Sequence, residues 1–381
     1  MARFGTDALF DRSLDLVRGA RVGLVTNHTG FDSDRVATVD RLLAEPSVTL
    51  AALFAPEHGI RGDQDHDGIA NGADGRTGVP VYSLFGKTRE PTRAMLDGLD
   101  AILYDIQDVG ARFYTYATTL SYAMKRAGEA GVRVIVLDRP NPIGGLVVEG
   151  PVLDSRLRSF VGAHEIALRH GLTMGELALM CRDEFGQECD LTVVPCEGWR
   201  RGMYFEDTGL PWAGPSPNLR TVEQAVLYIG PCLLEFSNLS VGRGTDVPFE
   251  VVGAPWVDAE QACEAARACE PPGVDLSPAT FTPDADSGYP YAGQACRGLR
   301  MRVTDREIFR AVPLGIALAT AIRDACTRFE MNRAGFARLC GSQAIVDRFF
   351  GGASYADLTE LSHLGVEEFV EAREAYLMYP A

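Results

Sequence analysis

Leu103-Tyr-Asp-Ile-Gln-Asp-Val-Gly-Ala-Arg-Phe-Tyr-Thr-Tyr116 decides how this chain is read. The apolar run Asp100-Ala-Ile-Leu-Tyr104 has the composition of a buried strand, and at its carboxyl end the polarity jumps. Asp105, Gln107, Asp108, Arg112, Tyr114 and Tyr116 follow around Gly110, and a helical pattern comes next. In open α/β sheets, ligands bind just beyond the carboxyl ends of strands. A capped, salt-bridged turn would account for one carboxylate there; six polar or aromatic side chains point to a polar-ligand site.

Outward from this stretch, strand and helix signals alternate. Arg21–Thr26, Ser47–Phe54, Ala101–Tyr104, Val132–Leu137 and Leu191–Pro195 read as strands. Helical patterns cover Arg35–Leu43, Pro91–Leu99 and Thr118–Gly131. This order predicts an α/β fold with a parallel sheet wound by helices. The strand ends carry Thr26–Gly30, Ala55–Gly59, Asp105–Arg112 and Asp138–Pro142, and four polar strand ends should converge on one crevice. Past Asp258 the pattern is less regular and predicts a smaller α+β domain, which places the domains at 1–225 and 226–381.

Pro56–Gly78 is too long for a plain connector and reads as a lid or ligand loop. Asp63–Gly68 matches D-x-D-x-D-G, but Asp74 stands where a calcium loop needs a bidentate Glu, which disfavours calcium; the acid clusters lack a complete ligand set, and no metal or other cofactor is expected. Thr173 and Glu176 have capping-box spacing, which gives Glu176 a structural role.

The formal net charge of −16 disfavours nucleic acid. No apolar run reaches the roughly 18 residues that span a bilayer, so no membrane partner is expected. The N-terminus lacks a basic-then-apolar signal pattern, and the expected location is cytoplasmic. Nine cysteines, with no C-x-x-C among them, read as free core thiols. Nothing in the sequence sets the oligomeric state.

Five stretches carry a resemblance: Phe54–Gly62, Tyr104–Tyr116, Leu137–Pro142, Pro211–Asn218 and Ser240–Thr245. Through them the chain resembles the NamZ-type exo-β-N-acetylmuramidases, glycoside hydrolase family 171, over nearly its whole length. The resemblance implies release of N-acetylmuramic acid from the non-reducing end of peptidoglycan fragments, with a muropeptide or disaccharide as substrate. It implies a Rossmann-like N-terminal domain holding the site and a smaller domain closing the cleft. It makes Glu57, in Pro56-Glu-His-Gly59, the favoured catalytic candidate.

The residues bear on that chemistry directly. Glycoside cleavage needs a proton donor and a group that stabilises an oxocarbenium-like centre. Glu57 follows an apolar strand and suits the donor, unless Arg61 merely pairs with it. Asp105 or Asp108 could act as nucleophile or base, although Asp108 could instead pair with Arg112. The lactyl carboxylate of N-acetylmuramic acid calls for a planar cation, and Arg112, Arg139 and Arg243 are the candidates. Tyr114 and Tyr116 could stack on sugar faces. His58, Asn27, Gln107, Asn141 and Asn218 are further candidate contacts. The alternatives are a nucleotide- or phosphate-binding enzyme, which the absence of G-x-G-x-x-G and Walker loops weakens, and a non-catalytic amino-sugar-binding protein.

Overall fold

The computed structural model describes residues 2–62 and 70–381, so the calcium-like run at 63–68 lies outside the described residues. Helix α1 (Gly5–Arg12) is followed by β1 (Arg21–Thr26), α2 (Thr38–Ala44), β2 (Thr49–Ala55), β3 (Gly72–Ala73) and β4 (Pro80–Ser83). Next come α3 (Arg93–Leu96), β5 (Ala101–Asp105), α4 (Tyr116–Ala130), β6 (Arg133–Leu137), α5 (Met174–Glu184) and β7 (Leu191–Val194). The seven strands form one sheet in the order β3-β4-β2-β1-β5-β6-β7. Every pairing is parallel except β3 with β4.

Without the two-residue β3, and with the parallel strands counted in chain order, the sheet reads 3-2-1-4-5-6. That is the doubly wound, Rossmann-like order, and its direction reverses between β1 and β5. The opening stretch therefore leaves the sheet at the switch point. Strand β5 is buried on both faces, as a central parallel strand should be. Ala101 and Leu103 pack into one apolar cluster with Leu9, Leu24 and Leu53. Ile102 and Tyr104 face the other cluster, beside Leu120 and Met124 of α4 and Leu177 of α5.

The remainder builds a second, smaller α+β unit. Helix α6 (Val222–Cys232) leads to β8 (Val251–Ala254), α7 (Ala259–Arg267), β9 (Val274–Phe281) and β10 (Cys296–Val303). These strands make an antiparallel sheet in the order β8-β10-β9. Helices α8 (Ala311–Ala325), α9 (Arg333–Cys340), α10 (Gln343–Phe350), α11 (Tyr355–Leu361) and α12 (Val366–Arg373) complete it. Among the described residues, no helix is long and apolar enough to cross a membrane.

Several boundaries differ from the sequence expectation for local reasons. The helix expected from Arg35 starts at Thr38, because the Asp32 side chain accepts the Asp34 and Val36 amides and folds 32–36 into a turn. Pro91–Leu99 holds a single helical turn, stopped by left-handed Gly98 (φ 72°). Helix α4 begins two residues early, at Tyr116, and ends on left-handed Gly131 as expected. Thr173 and Glu176 form the anticipated capping box on α5.

Candidate active site

The loop after β2 makes a sharp corner at Glu57. His58 takes φ 70° and Gly59 φ 74°. A left-handed histidine costs on the order of 1–3 kcal/mol and marks a backbone held for a purpose. The corner leaves Glu57 partly exposed while His58 is buried. Thr115, just before α4, donates to Glu57 Oε2 at 2.5 Å.

Beneath this corner lies a buried polar scaffold. Asn27 Nδ2 donates to the Tyr116 hydroxyl at 2.9 Å, and that hydroxyl donates to the Pro215 carbonyl at 2.8 Å. Asn27 Oδ1 accepts from the Thr29 amide and hydroxyl, and Thr29 Oγ1 accepts the Gln107 amide. The loops after β1, β2 and β5 are thereby locked to one another and to the 215 loop.

Glu57, His58, Tyr114 and Thr115 form one wall of a cleft of about 160 Å³. The facing wall comes from the second unit: Tyr228, Glu235, Phe236, Arg243 and Phe249. Arg243 Nη1 lies 3.2 Å from Glu235 Oε1, and its guanidinium sits over the Tyr289 ring, 4.8 Å from the centroid. Asn218 Nδ2 donates to the Tyr289 hydroxyl at 2.8 Å. Phe249 is also left-handed, at φ 63°. Burial pushes the Tyr114 phenol well above its ordinary value, so it stays a neutral donor.

The other residues singled out from sequence sit behind this cleft. Asp105 is fully buried and bonded at both oxygens: Arg139 Nε at 2.6 Å, Thr38 at 2.5 Å and Thr6 at 2.9 Å. Arg139 also donates to the Phe31 carbonyl and lies over the Phe4 ring. The reading of Asp105 as nucleophile or base and of Arg139 as ligand cation therefore meets an internal ion pair, because each neutralises the other inside the protein. Arg112 does not pair with Asp108. Its Nη atoms donate to four carbonyls, of Pro151, Ile166, Leu339 and Cys340, which straps the two units together. Gly341 makes room for this strap: at φ 76°, a Cβ there would meet Arg112 Nη2 at 2.1 Å.

Asp108 is buried, with Oδ2 accepting the Gly110 amide at 2.6 Å. Desolvation raises its carboxyl to about 7. His170 Nδ1 accepts the Leu172 amide, which leaves the ring proton on Nε2, 3.9 Å from Asp108. Burial and surrounding arginines hold His170 neutral, down to about 3. Gln107 Nε2 and Asn141 Nδ2 donate to backbone carbonyls of Pro140 and Leu172. Arg61 pairs with Asp74, not with Glu57.

Of the residues named from sequence, the structure thus brings Glu57, His58, Tyr114 and Arg243 together in the cleft, with Asn218 reaching it through Tyr289. Glu235, Thr115, Tyr228, Phe236 and Phe249 were not foreseen. Glu235 had one visible signal: a lone acid directly after an apolar helix, a few residues before Gly242-Arg-Gly244.

A doubly wound sheet whose strand-end loops face a second unit across a glutamate-lined cleft defines a two-domain α/β protein with a carboxylate-bearing cleft between its units. The family model for exo-β-N-acetylmuramidase NamZ matches it twice, its N-terminal domain over residues 22–223 and its C-terminal domain over 226–379, and the chain belongs to that family. It is 42% identical over 378 residues to the peptidoglycan β-N-acetylmuramidase NamZ of Bacillus subtilis (strain 168), covering 98% of this chain and 91% of that protein. Two crystal structures of DUF1343 family proteins from Bacteroides fragilis are similar throughout. One has TM-score 0.91 and 35% identity and covers 99% of each chain. The other has TM-score 0.79 and 29% identity and covers 100% of this chain and 99% of its own.

Proposed function

We propose that this protein is an exo-β-N-acetylmuramidase that releases N-acetylmuramic acid from the non-reducing end of peptidoglycan fragments during cell-wall recycling, with Glu57 as general acid. One observation carries the mechanistic reading: Glu57 and Glu235 enter the same cleft from opposite units, with Arg243 beside them. Family membership and the named Bacillus subtilis relative support the substrate class.

Glu57 gives its proton to the glycosidic oxygen as the C1–O bond breaks, and the bonding electrons leave with that oxygen. Positive charge then grows at C1. Glu235, held beside the Arg243 guanidinium, is the carboxylate that balances it. Water adds its oxygen to C1 and its proton restores Glu57. Of the three arginines considered for the lactyl carboxylate, Arg243 is the one in the cleft, while Arg112 and Arg139 are committed to the interior. Tyr114 and Tyr228 supply aromatic surface for the sugar.

The test is hydrolysis of a chromogenic β-N-acetylmuramic acid glycoside. Wild type should turn it over, and Glu57→Gln should lose at least about a hundredfold in kcat. Unchanged turnover by Glu57→Gln would remove the acid role. Sugar binding without turnover by the wild type would make the protein a non-catalytic binder.

A further inference from the structure

A second cavity, of about 770 Å³, lies where the 143–148 loop and Arg169 and Arg201 of the first unit meet Arg306, Arg310 and Arg373 of the second. Five guanidiniums line it, and Glu307 is the acid on its wall. In a chain of net charge −16 such a concentration is unusual.

Three of these cations are matched by carboxylates. Arg169 pairs with Glu149 at 2.9 Å, Arg201 with Glu176 at 2.6 Å, and Arg306 with Glu206 and Glu223. The other two have no carboxylate ion pair among the described residues. Arg310 Nη1 donates to the Glu307 and Phe309 carbonyls. Arg373 Nη1 donates to the carbonyls of Gly145, His170 and Gly171, each at 3.1 Å. Arg373 is 6% exposed, and its buried Nε has no hydrogen-bond partner. Burial, and then repulsion from Arg201, brings the Arg373 guanidinium down to about 10. Glu176 and Glu374 act on it only through space, against the Arg201 charge, so this buried cation is incompletely compensated, and that favours an incoming anion.

We infer that this cavity is a binding site for a small oxyanion, a carboxylate or phosphate group, with Arg310 and Arg373 as its principal cations. The guanidinium fork suits both groups. Leu146, Val148 and Val370 line the same cavity and fit an anion on an apolar body. The site is separate from the glutamate cleft, with which it shares no lining residue.

The experiment is calorimetric titration of the full chain at low ionic strength, with inorganic phosphate in one arm and succinate in the other. Saturable binding of either anion is expected, and the arm that binds names the class. Arg310→Ala should weaken it roughly tenfold, the worth of one charge-assisted hydrogen bond. Arg373→Lys should weaken it in the same direction, with a melting curve showing that this variant stays folded. Glu57→Gln should leave it unchanged. The inference is overturned if neither anion binds, if Arg310→Ala binds as wild type does, or if Glu57→Gln abolishes binding.

Discussion

Thr115 Oγ1 donates a 2.5 Å hydrogen bond to Oε2 of Glu57, and this bond aims the carboxyl into the cleft. Thr115→Val keeps the side-chain shape and removes the donor. We expect kcat to fall roughly tenfold, with a smaller change in KM, since a free carboxyl rotor spends less time aligned. Steady-state kinetics on the chromogenic glycoside reads this directly, and an unchanged kcat would show that the bond is not needed for alignment.

Glu235 and Arg243 give a separable pair of outcomes. Glu235→Gln should depress kcat, because it removes charge opposite the developing cation. Arg243→Ala should mainly raise KM for the N-acetylmuramic acid glycoside. Its effect on an N-acetylglucosamine glycoside, which lacks the lactyl carboxylate, should be at least about tenfold smaller. Equal losses on both sugars would remove Arg243 from lactyl recognition.

Asp105 and Arg139 should behave as a structural pair. Asp105→Asn leaves the Arg139 guanidinium buried without its counter-ion, and breaking a buried pair in this way costs about 3–5 kcal/mol. Chemical denaturation should report that loss. An Asp105→Asn protein as stable as wild type but inactive would return Asp105 to the catalytic list.

Asp108 predicts a pH dependence. Its folded pKa of about 7 lies above the usual carboxylate range, and burial is the first cause. The unfolded chain therefore ionises this group at lower pH than the folded one. The stability it contributes is full below about pH 4 and is lost as pH rises to about 7. His170, held neutral nearby, acts in the opposite sense as pH falls, so the comparison must be with a variant. Asp108→Asn should gain in melting temperature relative to wild type between pH 5 and pH 8, by at least about 2–4 °C. A pH-independent difference would contradict the assignment.

Gly341→Ala should loosen the strap between the two units, since the added Cβ falls on Arg112 Nη2 and the backbone is left-handed. A loss of about 1–3 kcal/mol is expected, read from the melting of the whole chain. An unshifted melting curve would show that the strap yields at no cost.

The α/β order, the carboxyl-end loops and the polar corner at Glu57 were legible in the sequence, because strand hydrophobicity and abrupt polar junctions are local signals. So were the capping box on α5 and the glycine stop of α4. The start of the helix after β1 and the early end of the helix before β5 were not, since Asp32 and Gly98 redirect the backbone through turns that periodicity does not register.

The sequence by itself determined that polar groups gather beyond β1, β2 and β5, because alternating strands and helices force those ends to one side of a parallel sheet. Which acids face the cleft was decided by tertiary structure alone. Asp105 ends β5 yet points into the protein, where Arg139, Thr6 and Thr38 close around it. Glu235, far along the chain, reaches the cleft because the second unit packs across the sheet's carboxyl edge. A carboxylate costs little where it meets water or substrate and much where it is buried, so its role depends on which cation and which hydroxyls the fold brings to it. Those partners come from distant segments, and no local pattern names them.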